Sequence, residues 1–296
     1  MGRFRGLGVA MITPFRNGKI DDDALAWLIL NLINNGVGFL VPCGTTGESP
    51  TLSHQEQKNI IKFTVDIADG RVPVLAGTGS NSTQEAVEMT QAAKECGADG
   101  AMAVVPYYNK PTELGIIEHY EKLSRVGLPI ILYDIPGRTG IKVSSETIIR
   151  LSSNNLIDGI KWASGDLHQL EDIIMNCPEN FDILSGNDDQ ALDLMIRGGH
   201  GVISVIGNII PDRFSRLITL MQEEAWGNSR NMHMRLVNLM RVMFIESNPA
   251  PVKAALSIMH PKIFTDELRL PMCGLTTANL QELVHELEGN GLYKQR

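Results

Sequence analysis

Short apolar runs alternate with longer segments of helical period along most of the chain. Eight runs are nearly continuous in β-branched and apolar residues: 7–12, 38–42, 72–76, 100–105, 129–133, 157–161, 181–184 and 201–205. Continuity, rather than strict alternation, is what strands buried on both faces require. The segments between them carry helix signals. Ser53-His54-Gln55-Glu56 and Ser82-Thr83-Gln84-Glu85 both read as capping boxes. Asp21-Asp22-Asp23 places carboxylates at the first turn of a helix over 24–34, where the helix dipole favours them. Asn35-Gly36 and Cys96-Gly97 supply glycine stops. Further helices are expected over 112–125, 145–152, 167–175, 188–197 and 212–224.

Eight strand–helix units in series predict an α/β fold, a (β/α)₈ TIM barrel over residues 1–224. An open doubly wound sheet would hold more parallel strands than is common, and no G-x-G-x-x-G follows the first strand. Residues 225–296 contain no strand-like run; 229–245, 251–259 and 277–287 read as helices. No linker composition sets this C-terminal helical extension apart, so it is expected to pack on the barrel or on another subunit.

Composition narrows the function. The chain has 296 residues, 43% hydrophobic and 20% charged, which excludes disorder. A net charge of −8 argues against nucleic acid as a partner. No apolar run nears the ~20 residues of a membrane span, and the stretch from Met1 to Arg5 lacks a signal-peptide core. Cys43, Cys96, Cys177 and Cys273 form no C-x-x-C, and the seven histidines form no H-E-x-x-H. A reduced, cytoplasmic protein with no protein-built metal site is expected.

In a barrel of this type the chemistry sits at the C-terminal ends of the strands. After the second strand comes Gly44-Thr45-Thr46-Gly47-Glu48, whose hydroxyls and amides can cradle a carboxylate or form a solvated turn. After the fourth comes Pro106-Tyr107-Tyr108-Asn109-Lys110-Pro111, a stiff aromatic loop suited to catalysis or to a subunit contact. The fifth ends in Tyr133, followed by Asp134-Ile135-Pro136-Gly137-Arg138-Thr139-Gly140; Arg138 can bind a carboxylate through both guanidinium nitrogens or serve a surface ion pair. The sixth ends in Lys161. An ammonium in a partly dehydrated barrel mouth has its pKa lowered from ~10.4. The neutral amine can then attack a ketone and form a Schiff base; the alternative is a snorkelling lysine paired with an acid. Ser185-Gly186-Asn187-Asp188 follows the seventh strand, and Ser204 lies near the end of the eighth. His200 precedes its strand, at the wrong end for chemistry.

Taken together, Gly44–Glu48, Tyr133 with Pro136-Gly137-Arg138-Thr139-Gly140, and Gly159-Ile160-Lys161 resemble the class I pyruvate-dependent aldolases and lyases, within them the dihydrodipicolinate synthase family. Gly198–Ser204, Asn248-Pro249-Ala250-Pro251-Val252-Lys253 and Leu268-Arg269-Leu270-Pro271 match it as well. The resemblance implies that Lys161 forms an imine with pyruvate, so that no cofactor is needed, and that Thr45, Tyr133 and Tyr108 relay protons. It implies that Tyr108 acts in a neighbouring subunit of a homo-oligomer, a dimer or tetramer. Thr46 would hold the pyruvate carboxylate, Gly186 and Ile203 would line its pocket, and Arg138 would bind the carboxylate of L-aspartate 4-semialdehyde. The implied product is 4-hydroxy-tetrahydrodipicolinate, on the diaminopimelate route to lysine. Ser49, His54, Asn81, Glu85 and Tyr107 match the family's lysine-feedback site, whereas Gln57 and Pro50 depart from it. Trp162 stands where the family usually has an acid, and Asp134 where Asn is common. Two other readings compete: an N-acetylneuraminate lyase or 2-keto-3-deoxy-sugar-acid aldolase, which commonly lacks the Arg138 and Tyr108 equivalents, and a non-catalytic keto-acid sensor, which needs no imine-forming amine.

Overall fold

A computed structural model describes residues 3–294. Met1 and Gly2 of the amino-terminal stretch, and Gln295 and Arg296 at the end of the helical extension, lie outside it. Eight parallel strands form the centre: β1 (Gly6–Ala10), β2 (Phe39–Val41), β3 (Leu75–Gly77), β4 (Gly100–Val104), β5 (Ile130–Asp134), β6 (Gly159–Trp162), β7 (Asp182–Ser185) and β8 (Gly201–Ser204). Each pairs with its sequence neighbour, and β1 also pairs with β8. A bridge between Leu40 and Val74, with Leu40 N–H donating to the Pro73 carbonyl at 3.0 Å, joins β2 to β3 and closes the ring.

The continuous apolar runs have a simple cause. Side chains alternate between faces of a strand, and both faces are dry. Phe39, Val41, Ile131, Tyr133, Leu184 and Ile203 fill the interior of the barrel. Leu40, Ile130, Leu132, Ile160, Ile183 and Val202 face the surrounding helices. Close strand packing leaves no room for a Cβ at Gly77, where it would meet the Cys43 carbonyl oxygen at 2.2 Å.

The outer layer is α1 (Asp22–Asn34), α2 (His54–Ala68), α3 (Thr83–Glu95), α4 (Glu113–Ser124), α5 (Ser145–Ser153), α6 (Leu167–Asn176), α7 (Ala191–Ile196) and α8 (Pro211–Gln222). Asp21 caps α1 by accepting from Ala24 N–H. Gly36 and Gly97, with φ 80° and 87°, follow the ends of α1 and α3. The box at α2 forms as expected: Ser53 accepts from Glu56 N–H at 3.2 Å, and Glu56 accepts from Ser53 N–H at 2.8 Å. The box at α3 is only half formed. Ser82 accepts from Glu85 N–H, but the Glu85 carboxylate turns away to Ser80 and His54, and Ser82 N–H donates to Ser80 Oγ instead. Two side-chain partners, Ser80 and His54, hold the carboxylate in place of a single backbone amide.

Three more helices follow, α9 (Trp226–Val242), α10 (Ala250–Met259) and α11 (Thr277–Gly289). Their apolar residues, among them Leu236, Leu239, Val252, Leu256 and Leu283, belong to the same core as the barrel helices. A two-stranded hairpin at Phe15–Arg16 and Lys19–Ile20 was not expected from the sequence pattern; its strands are too short to give a periodic signal. Among the described residues no helix is long and apolar enough to cross a membrane.

Candidate active site

The site grows from the register of β5 and β6. Tyr133 pairs with Lys161, and Asp134 pairs with Trp162. Because side chains alternate, Tyr133 and Lys161 share the interior face, while Asp134 and Trp162 share the outer one. Lys161 is 4% exposed, and its Nζ lies 4.3 Å from the centre of the Tyr133 ring. Burial lowers its pKa from 10.5 to about 8; Asp188 opposes this and Arg138 adds to it. Burial also pushes the Tyr133 phenol up to about 12, while Arg138 and a hydrogen bond with the Thr45 hydroxyl pull the other way. The phenol therefore keeps its proton at neutral pH. Gly186 sits against this pair, where a Cβ would come within 3.4 Å of Lys161 Cε and 2.7 Å of Ala163 Cβ. Ile203 is buried in the same barrel interior.

Two of the residues that depart from the family pattern, Asp134 and Trp162, occupy one place behind the barrel wall. Trp162 Nε1 donates to Gln169 Oε1 on α6 at 2.9 Å. Gln169 Nε2 donates to the Val143 carbonyl at 2.6 Å and reaches Asp134 Oδ2 at 3.5 Å. The Trp162 side chain therefore faces away from Lys161. Among the described residues Asp134 Oδ1 has no hydrogen-bond partner, and burial raises its pKa from 3.8 to about 6.

The loop after β2 brings Thr45 and Thr46 to the mouth. Thr46 is buried and accepts at 2.9 Å from Nδ2 of Asn248, which precedes α10. A short helix, Pro136–Thr139, carries Arg138, whose Nη2 approaches the Asn248 carbonyl at 3.5 Å. A cavity of about 370 Å³ opens here; Thr45, Arg138, Ser49, His54, Glu85 and Tyr107 are among its lining. Lys161 and Tyr133 are not, and Thr45 links the cavity to Tyr133. His54 Nε2 and Glu85 Oε1 lie 2.6 Å apart, and Glu85 is held below its ordinary pKa chiefly by the Ser80 hydroxyl. Burial raises the Tyr107 phenol. Asn81 is outside the cavity lining; its carbonyl accepts from Asn109 Nδ2 at 2.8 Å. Gln57 donates to the Ser49 carbonyl at 3.1 Å.

Tyr108 is the one predicted catalytic residue not brought to the others. It is 89% exposed, with a left-handed φ of 72°. Sequence reading gave no role to Asp188 or Asn248. Asp188 is buried opposite Lys161, and its Oδ2 accepts from Val205 and Ile206 N–H at 3.0 and 2.9 Å. Its place after β7 was a usable signal. Asn248 was marked only by the family-like motif that it opens, which gives no hint of its contact with Thr46 because it arrives from the helical extension.

Among the described residues no three His, Cys, Asp or Glu side chains are grouped to hold a metal. The buried amine, the phenol and the hydroxyl loop form a set suited to imine chemistry at a carbonyl.

The chain is similar to known proteins along nearly its whole length. The model of the dihydrodipicolinate synthetase family matches residues 3–289. A 4-hydroxy-tetrahydrodipicolinate synthase of Syntrophus aciditrophicus is 47% identical over 290 residues, 98% of this chain and 99% of that protein. The crystal structure of dihydrodipicolinate synthase from Aquifex aeolicus is 41% identical and superposes with a TM-score of 0.96, covering 99% of this chain and all of that one. The enzyme of Cyanidioschyzon merolae, solved with lysine bound, is 35% identical with a TM-score of 0.95, covering 99% of this chain and 100% of that one. The chain belongs to the dihydrodipicolinate synthetase family.

Proposed function

We infer that the chain is a lyase that condenses pyruvate with L-aspartate 4-semialdehyde to give 4-hydroxy-tetrahydrodipicolinate, on the diaminopimelate route to lysine. The observation that carries this reading is Lys161: a buried amine with a pKa near 8, facing a protonated Tyr133. The neutral amine attacks the keto carbon of pyruvate, and loss of water leaves an imine. Loss of a methyl proton gives an enamine, whose carbon attacks the semialdehyde's aldehyde carbon and forms the new C–C bond; the semialdehyde's amino group then adds to the imine carbon and expels the Lys161 amine, which closes the ring and frees the enzyme. Tyr133, Thr45 and Tyr108 move the protons. Thr46 binds the pyruvate carboxylate, Gly186 and Ile203 shape its pocket, and Arg138 binds the carboxylate of the second substrate. No cofactor is required, because the imine itself is the electron sink.

Tyr108 belongs to this set only across an interface. A strained, exposed tyrosine fits insertion into a second copy, so the enzyme is read as a homo-oligomer, most simply a dimer or tetramer, with a shared active site. Ser49, His54, Asn81, Glu85 and Tyr107 are read as a lysine-feedback site, with the Glu85 carboxylate facing the effector's ammonium. Free cysteines fit a cytoplasmic enzyme. Arg138 favours the semialdehyde over a sugar acid, since a neutral polyol needs no fixed cation. The purified protein should turn over pyruvate with aspartate semialdehyde; cleavage of N-acetylneuraminate or a keto-deoxy-sugar acid, with no semialdehyde use, would reverse the assignment.

A further inference from the structure

Glu48 ends the Gly44–Glu48 loop, and its carboxylate is held from the far end of the chain. Its backbone is left-handed, with φ 54° and ψ 36°, a conformation kept only where surrounding contacts compensate. Lys253 of α10 donates to Oε1, and the Arg269 N–H donates to Oε2 at 3.1 Å. Lys253 is 0% exposed; its other neighbours are the Glu267 carbonyl at 2.8 Å and the Phe15 ring at 4.1 Å. Arg269 covers the same ring at 4.5 Å and forks onto Glu56 of α2 at 2.7 and 2.9 Å.

A buried ion pair is a poor way to stabilise a fold, since apolar residues of similar volume often do as well. What this pair fixes is the geometry of one loop. Glu48 N–H donates to the Thr45 carbonyl at 3.0 Å, and Gly47 N–H to the Gly44 carbonyl at 3.1 Å. The Thr13 hydroxyl donates to the Gly47 carbonyl at 2.7 Å. A turn of Glu48 would therefore carry Thr45 and Thr46 with it.

We propose that Glu48, clamped by Lys253 and the Arg269 amide, is a positioning residue: the clamp holds Thr45 against Tyr133 and turns Thr46 toward the pyruvate carboxylate. The C-terminal extension thus governs pyruvate binding and imine formation without touching substrate. This rests on the roles given to Lys161, Thr45 and Thr46 above.

The test is the double variant Glu48→Gln/Lys253→Met, beside Lys253→Met alone. The single variant strands a buried carboxylate and should lose stability. The double variant removes both charges at similar volume and should melt close to the wild type. It should raise KM for pyruvate at least tenfold and slow borohydride trapping at Lys161 to a similar degree, with little change in KM for the semialdehyde. Wild-type KM and trapping rate in the folded double variant would overturn the clamp. Should the variants fail to fold, hydrogen exchange in the wild type decides. The Gly47 and Glu48 amides should be as protected without pyruvate as with it; protection that appears only with pyruvate would mean that substrate, not the clamp, sets the loop. Absence of any wild-type Lys161 adduct would overturn the site reading and the clamp together, whereas a wild-type adduct with an unchanged double variant overturns the clamp alone.

Discussion

Lys161 and Tyr133 are register partners on neighbouring strands, and the lysine nitrogen stands 4.3 Å from the centre of the tyrosine ring. An aromatic face favours the ammonium form, yet the lysine pKa falls to about 8. Burial outweighs Asp188, and Arg138 adds to the fall. The same burial raises the phenol to about 12. Desolvation acts in opposite directions on an acid and a base, so that at pH 8 about half of the lysine and nearly all of the phenol is neutral.

The neutral amine is the reactive form, so imine formation should quicken as pH rises and level off above about 8. At pH 7 about one lysine in ten would be neutral, against fewer than one in a thousand for an unshifted lysine. Trapping rates measured from pH 6 to 10 check this; a rise that continues past pH 10 would mean an unshifted amine. Lys161→Arg keeps the charge but cannot lose its proton, and should reduce turnover by roughly a thousandfold or more.

Removing Thr45 and Tyr133 together should cost little more than removing one, because groups that act as a unit lose function once. A double-mutant cycle of Thr45→Val and Tyr133→Phe reads this directly, and fully multiplicative losses would assign the two residues independent roles. Mixed oligomers of Tyr108→Phe and Lys161→Ala chains should regain activity if Tyr108 completes a neighbour's site.

Arg138→Ala should weaken use of the semialdehyde by roughly 10- to 100-fold, the size of a lost charge-assisted hydrogen bond. Imine formation with pyruvate should change little. The comparison is kcat/KM for the semialdehyde against the trapping rate with pyruvate alone; equal losses in both would place Arg138 at the first substrate.

Asp134→Asn should stabilise the protein at alkaline pH. The folded carboxyl, with its pKa near 6 against 3.8 in an ordinary setting, holds its proton more tightly than the unfolded one. Its contribution to stability is therefore fullest below about pH 4 and is lost as pH rises through 6. Two units correspond to about 2–3 kcal/mol, the expected gain at pH 8. Denaturant melts of both proteins at pH 4.5 and 8 should show the gap opening with pH.

The barrel was legible because all eight strands are dry on both faces, which writes them into the sequence as unbroken apolar runs. Their order followed from short connections and the helices between them. Position marked Lys161, Tyr133, Thr45 and Arg138 as candidates, each at the end of a strand or just after it; the roles assigned to them came from the family resemblance. What escaped depends on contacts distant in sequence. Asn248 lies 202 positions from the Thr46 it touches. Glu85 looks like a capping residue until His54, on another helix, draws its carboxylate away. Asp134 and Trp162 read as two separate departures; only the strand register makes them one outward-facing pair joined by Gln169.

The most direct test of the account is borohydride reduction of the enzyme in the presence of pyruvate, followed by peptide mass spectrometry. The account predicts a single reduced pyruvate adduct on the peptide containing Lys161, and none without pyruvate. An adduct on Lys142 or Lys253, or no adduct in an enzyme that still turns over both substrates, would contradict it.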